Sequence, residues 1–116
     1  MRVIIEDENN GDKKAKFAHE MYGYKIRQEI GRMAGSMNGV DAIVMTATIG
    51  ERSKEDRELV CNELEYLGFS MDDTKNKGDF SCRHTNIAAE GSKPIWVIRT
   101  DEFEEMIRKA TILLDK

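Results

Sequence analysis

Residues 40–47, VDAIVMTA, form an apolar and β-branched run that discharges into a glycine-bearing turn, IGER, and then into a new amphipathic stretch. A run of this kind predicts a strand buried on both faces, as in a parallel sheet covered by helices. Parallel strands need helical crossovers, so this one feature pulls the chain toward an α/β fold. The turn falls at the carboxyl end of the strand, and the first amides of the next helix have no intrahelical acceptor. A turn so placed can take an anionic group.

The segments around the strand supply the helices. Residues 6–12 are polar and close on Asn9-Asn10-Gly11, a turn composition, after which Asp12 is placed to cap a long helix. Ala18, Tyr22, Ile26, Ile30, Met33 and Met37 recur at spacings of three and four and define one apolar face, ended by Asn38-Gly39. Gly23, Gly31 and Gly35 weaken that helix intrinsically, so each marks a place where another backbone comes close. Ser53 with Asp56 resembles a capping box and opens a helix whose stripe is Leu59, Val60, Leu64 and Leu67, closed by Gly68. Residues 70–77 are polar, and residues 80–87 have room for one or two short strands. Ile95–Ile98 reads as a second buried strand, and Asp101 as the cap of a final helix with core residues Phe103, Met106, Ile107, Ala110 and Leu114. The expected order is αβα(β)βα, a small and mainly parallel sheet flanked by helices. Val3, Ile4 and Ile5 are too few to add a strand layer. So narrow a sheet leaves its edges open, which reads as part of a larger one.

Composition narrows the partners. The chain has 116 residues and 40% apolar content, which suits one small domain over residues 1–116, with no linker or internal repeat. A net charge of -4 without a Lys/Arg stripe argues against nucleic acid as a partner. No run approaches membrane-spanning length, and MRVIIEDENN lacks the apolar core of a signal peptide, so neither a membrane nor export is expected. Cys61 and Cys82 are widely spaced, without metal-ligand intervals, and the expected setting is the reducing cytoplasm. Cys61 beside its helix's apolar stripe reads as a small buried hydrophobe. His19 and His84 have no neighbouring nucleophile pattern and read as ordinary surface or partly buried histidines.

The stretches AKFAHEMYGYKIRQEIG, NGVDAIVMTATIGERS, RELVCNELEYLGFSMDDTKNK and IWVIRTDEF together resemble the C-terminal part of acetate kinases and their propionate kinase relatives. The resemblance runs nearly end to end. It implies part of a ribonuclease H-like, actin-like ATPase domain, and an enzyme that moves the γ-phosphoryl group of ATP to acetate or propionate with Mg²⁺. In the family the strand and turn read approximately D-A-I-V-F-T-G/A-G-I-G-E-N-S, matching Asp41–Ser53, so Thr48, Ile49, Gly50, Glu51 and Arg52 hold the nucleotide turn. A family Asp-x-Arg element at the adenosine site leaves only Arg2 here, because the chain starts at its middle residue. The family's P-T-N-E-E corresponds to Arg99–Phe103, which places the metal-associated carboxylate on Glu102.

The resemblance assigns no catalytic residue, since the family's carboxylate-binding, acid and histidine groups lie in segments before this region. The residues also depart from the pattern. Thr48 brings a Cβ where the family has glycine, and Arg52 in place of asparagine either attracts a phosphate or fills the pocket. Glu102, in a helix's first turn, favours that helix through its dipole with or without a metal. The alternative expectations are a catalytically silent, truncated remnant and a ligand-free interaction module. The apolar face of the long helix is then core or homodimer surface.

Overall fold

The computed structural model describes residues 1–78, 80 and 82–114. Helices α1 (Arg2–Asn9) and α2 (Lys13–Ser36) are followed by strand β1 (Ile43–Met45), short helix α3 (Ala47–Arg52) and helix α4 (Lys54–Cys61). A 3-10 turn (Glu65–Leu67), helix α5 (Asp73–Asn76), strands β2 (His84–Asn86) and β3 (Ile95–Ile98) and helix α6 (Glu102–Leu114) complete it. The sheet order is β1-β3-β2, with β1 parallel and β2 antiparallel to the central β3. The fold is α/β as expected, with β2 inside the expected 80–87 region. Ser81 of that region lies outside the described residues. No helix among those residues is long and apolar enough to cross a membrane.

One face of the sheet carries the core. Ile95 and Val97 of β3, Ile43 of β1, Leu64, Phe69 and Ile87 interlock there, and four of these side chains are wholly shielded from water. The other face is open: Val44 is 54% exposed. The expectation of a strand buried on both faces is therefore corrected, because β1 is only three residues long and sits at an edge of the sheet. Apolar composition registers what a strand is suited to touch, and on that face the described residues leave Val44 lining an open hollow with Tyr22 and Ile26.

The helix caps follow local chemistry. The Asp12 carboxylate accepts from the amides of Lys14 and Ala15 at 2.7 and 3.2 Å. Ser53 Oγ accepts from the Asp56 amide at 3.1 Å, and Asp101 accepts from the Glu104 amide at 2.9 Å. Asn38 and Gly39 take φ of 58° and 126° and end α2, as their composition predicts. Val3, Ile4 and Ile5 belong to α1, where Ile4 and Ile5 are half-buried as α1 folds back on α2 through the Gly11 turn. The expected polar turn over residues 6–12 thus begins only at Asn10.

Two apolar stripes are real, that of α2 only partly covered, with Tyr22, Ile26 and Ile30 half-buried, and that of α6 uncovered by the described residues. None of the six expected α2 face residues is buried; the buried positions are His19, Gly23 and Ala34, rotated toward α4. At Gly23 an added Cβ would collide with Leu59 Cγ and lie 2.6 Å from its Cδ2, so what comes close is a side chain rather than the expected backbone. An added Cβ at Gly31 would lie 3.1 Å from the Tyr66 hydroxyl and one at Gly35 would meet nothing, so the expectation of a neighbouring backbone is corrected at all three. Gly23→Ala is expected to destabilise by about 1–3 kcal/mol in urea denaturation, the clash outweighing the helix-propensity gain of roughly 1 kcal/mol. On α6, Phe103, Met106, Ile107 and Leu114 are 64–85% exposed and no residue is buried, so its stripe is not core of this chain.

The helix expected to reach Gly68 instead breaks after Cys61. Glu63 takes φ 63°, and Gly68 at φ 90° closes the 3-10 turn. The break lets Leu64 and Phe69 both enter the core, which one continuous helix would not. Cys61 is 3% exposed, and burial pushes its thiol pKa up to about 12, while Cys82 is exposed. A chromogenic disulfide reagent is therefore expected to titrate one thiol in the native protein and both after denaturation.

Candidate functional site

The turn after β1 is a short helix. Thr46 is fully extended, Ala47 takes φ 60°, and α3 runs from there to Arg52. The left-handed position thus falls on Ala47, and Thr48 sits inside the helix, where its Cβ is no burden. Gly50 has a packing reason: a Cβ there would come within 3.1 Å of the Met45 carbonyl carbon. Glycine lets α3 lie against the end of β1.

Arg57 fixes α3 in place. Its guanidinium, 2% exposed, donates from Nη1 to the carbonyl oxygens of Gly50 and Glu51 at 3.0 and 3.1 Å, satisfying acceptors that so short a helix leaves free. Its Nε and Nη2 donate to Asn76 Oδ1 and to the Asn76 carbonyl at 2.7 and 3.0 Å. The ring of Phe80 lies 4.5 Å beneath the cation. Burial draws its pKa below the ordinary value, the first cause, against the negative neighbours Glu55 and Asp56. It remains the cation in any case.

Two hollows flank α3. One, of about 500 Å³, is walled by Thr48, Ile49 and Gly50 with Tyr22, Val44 and Arg57. The other, of about 700 Å³, lies between α1 and α3, where Arg2, Ile5 and Glu6 face Thr48, Ile49 and Arg52. The structure therefore gathers Arg2, Thr48, Ile49, Gly50 and Arg52 around α3. Glu51 turns elsewhere: its carboxylate accepts from the Thr100 amide at 2.9 Å and from its hydroxyl at 3.1 Å, tying α3 to the segment after β3.

Glu102 is apart from these residues, exposed in the first turn of α6. No group of three or more His, Cys, Asp or Glu among the described residues is arranged to hold a metal. A single carboxylate suits Mg²⁺ only together with other oxygen donors such as nucleotide phosphates.

The Thr100 bonds, the amide first, hold the Glu51 carboxyl below its ordinary range. A depressed folded value means stabilisation that is present above the unfolded value of about 4.3 and lost as pH falls through the folded one. Glu51 is solvated, so Glu51→Gln is expected to cost roughly 0.5 kcal/mol or less at neutral pH. Urea midpoints of the two proteins should converge in acid.

Sequence reasoning missed His19, Asp56, Arg57 and Asn76. His19 is 6% exposed; its Nδ1 lies 2.7 Å from Glu8 Oε2 and its Nε2 3.3 Å from Asp56 Oδ1. Asp56 is 2% exposed, and its Oδ2 has no hydrogen-bond partner among the described residues. Burial, then the Asp56 charge, pushes the Tyr22 phenol above its ordinary pKa. One signal was available: Asp56 and Arg57 stand four residues before Val60 and Cys61, on the buried side of α4, where charged residues need partners.

Comparison with known proteins places this geometry. A solved acetate kinase from Porphyromonas gingivalis superposes with a TM-score of 0.83 at 35% identity, over 99% of this chain and 29% of that one. A propionate kinase from Francisella tularensis gives 0.75 at 32% identity, over 87% and 25%. Acetate kinases have the actin-like ATPase fold, and the small α/β sheet described above is part of it. An acetate kinase of Carboxydothermus hydrogenoformans is 46% identical over 114 residues, 97% of this chain and 28% of the relative. The chain belongs to the acetokinase family, whose model matches residues 1–109. It spans 25–28% of the length of the curated relatives it matches.

Proposed function

We propose that this chain is the C-terminal portion of an ATP-dependent short-chain carboxylate kinase, transferring the γ-phosphoryl group to acetate or propionate in the complete enzyme, and that α3 is one wall of its nucleotide site. The observation that carries this reading is the placement of Thr48, Ile49 and Gly50 at the carboxyl end of β1, packed on the Met45 backbone and open to hollows on both sides. Ligands of open α/β sheets bind at that end of the strands. Ile49 and the Thr48 methyl offer an apolar surface to a purine or ribose. Arg2 and Arg52, both exposed at the same hollow, offer positive charge to phosphates. Mg²⁺, when bound with the nucleotide, would neutralise charge on the phosphates, and Glu102 would be this chain's carboxylate toward it.

Phosphoryl transfer rests on positioning and charge stabilisation from both sides of the phosphates. This chain spans 28% of the length of that Carboxydothermus relative, so the groups on the other side of the phosphates belong to the rest of the complete enzyme. The two free thiols suit the reducing cytoplasm. The partly covered stripe of α2 and the uncovered one of α6 favour a second role as contact surface, either toward the rest of the enzyme or in a homodimer.

Mixing the chain with the preceding segment of an acetate kinase relative tests the reading. The expected result is ATP-, Mg²⁺- and acetate-dependent formation of acyl hydroxamate in the presence of hydroxylamine, lost with Gly50→Trp. Stable association of the two pieces without turnover, or equal turnover with the Gly50 variant, would overturn it.

A further inference from the structure

We propose that His19 is a positioning residue, a proton-dependent clamp that fastens α1 to α4 and thereby sets α1 over the hollow at α3. The nucleotide consequence rests on the reading proposed above; the clamp itself does not. Each ring nitrogen of His19 faces a carboxylate from a different helix, Glu8 of α1 at 2.7 Å and Asp56 of α4 at 3.3 Å. A neutral imidazole has one N–H and one lone pair, and a lone pair cannot face an ionised carboxylate. Both contacts together therefore require the imidazolium. α1 has no fully buried residue; Ile4 and Ile5 pack half-buried on α2, the Glu8 contact with His19 adds a charged hold, and Arg2, Ile5 and Glu6 of α1 line the hollow opposite Thr48 and Arg52.

Removal of one ring proton has a defined outcome. The Asp56 side chain is 3% exposed and its second oxygen has no partner among the described residues, so it is poorly placed to exchange His19 for water. The Glu8 side chain is 27% exposed and can. The remaining proton stays between His19 and Asp56, Glu8 lets go, and α1 keeps only its apolar packing on α2 once the ring has lost its other proton. The other charged groups around this point do not replace the contact. Arg57 beside Asp56 is turned to Asn76 and the carbonyls of α3, Lys16 and Glu20 pair with each other on the outer face of α2, and Tyr22 faces Asp56 as a neutral phenol. Glu55, next to Asp56 on α4, is 3.8 Å from Lys54, and Arg2 and Glu6 pair within α1 at 3.4 Å.

Amide hydrogen exchange of α1 in the full chain, corrected for intrinsic pH dependence and followed from about pH 5.5 to about pH 8.5, reads the clamp. In the unaltered protein, α1 protection is expected to fall about tenfold between those pH limits while β3 protection stays constant. Glu8→Ala should give low, pH-independent protection of α1. Glu8→Gln should give high, pH-independent protection, because a neutral His19 can donate to Asp56 from Nε2 and accept the Gln amide at Nδ1. A purely structural contact would not produce this opposite pair of flat profiles. Protection independent of pH in the unaltered protein, or the same slope in all three, would overturn the proposal. ADP titration of the same samples separates the two readings: proton-gated α1 protection with no nucleotide binding at any pH keeps the clamp and removes the nucleotide site.

Discussion

Arg57→Ala is expected to lower unfolding free energy by roughly 3–5 kcal/mol, a large part of the 5–15 kcal/mol typical of a small domain. The guanidinium satisfies three carbonyl oxygens and Asn76 Oδ1 at once. Its removal strands those acceptors, the two on Asn76 buried and the Gly50 and Glu51 carbonyls partly so, and a stranded buried acceptor costs about 1–3 kcal/mol. Arg57→Lys should recover less than half of the loss, because an ammonium cannot spread its donors over Gly50, Glu51 and Asn76 as the planar fork does. The functional consequence is local: α3 loses the cation that closes its carboxyl end, so the wall formed by Thr48–Gly50 should loosen before the β3 core does. Urea denaturation with exchange measured at α3 and β3 checks both statements, and a loss under about 1 kcal/mol would show that the hub is not a hub.

The second large effect is non-additive. His19→Leu leaves Asp56 as an uncompensated buried carboxylate and is expected to cost about 3–5 kcal/mol, and Asp56→Leu leaves His19 polar and half-paired at a cost of roughly 1–3 kcal/mol. The double variant His19→Leu, Asp56→Leu removes the buried polar pair together and should be more stable than His19→Leu alone by at least about 2 kcal/mol, since apolar replacements of buried ion pairs are often neutral or stabilising. A double-mutant cycle in urea measures the coupling. Additive losses would mean that the 3.3 Å contact carries no energy.

The elements legible in the sequence were those decided within a few residues. The Asp12, Ser53 and Asp101 caps depend on side chains reaching amides two or three positions on, and β3 alternates Ile95 and Val97 inward with Trp96 and Ile98 half-exposed. The amphipathic stripes of α2 and α6 were legible as stripes, but what covers a stripe is decided by other parts of a fold, and here the described residues cover that of α2 only in part and leave that of α6 open. The break after Cys61 escaped because two residues beyond it, Leu64 and Phe69, compete for one core. Arg57 escaped for the same nonlocal reason: its chief partner, Asn76, is nineteen positions away. The turn proposed for the nucleotide is pointed to by the family resemblance rather than by periodicity, and its helical form, with the left-handed residue at Ala47, is not written in the local sequence.

The central claim is that α3 is a nucleotide wall. A titration of the ¹⁵N-labelled chain with ADP and Mg²⁺, followed by amide chemical shifts, tests it most directly. Saturable shifts concentrated on Thr48–Arg52 and Arg2, with β2 unmoved, are the predicted result; no shifts at millimolar nucleotide, or shifts centred away from α3, would contradict it.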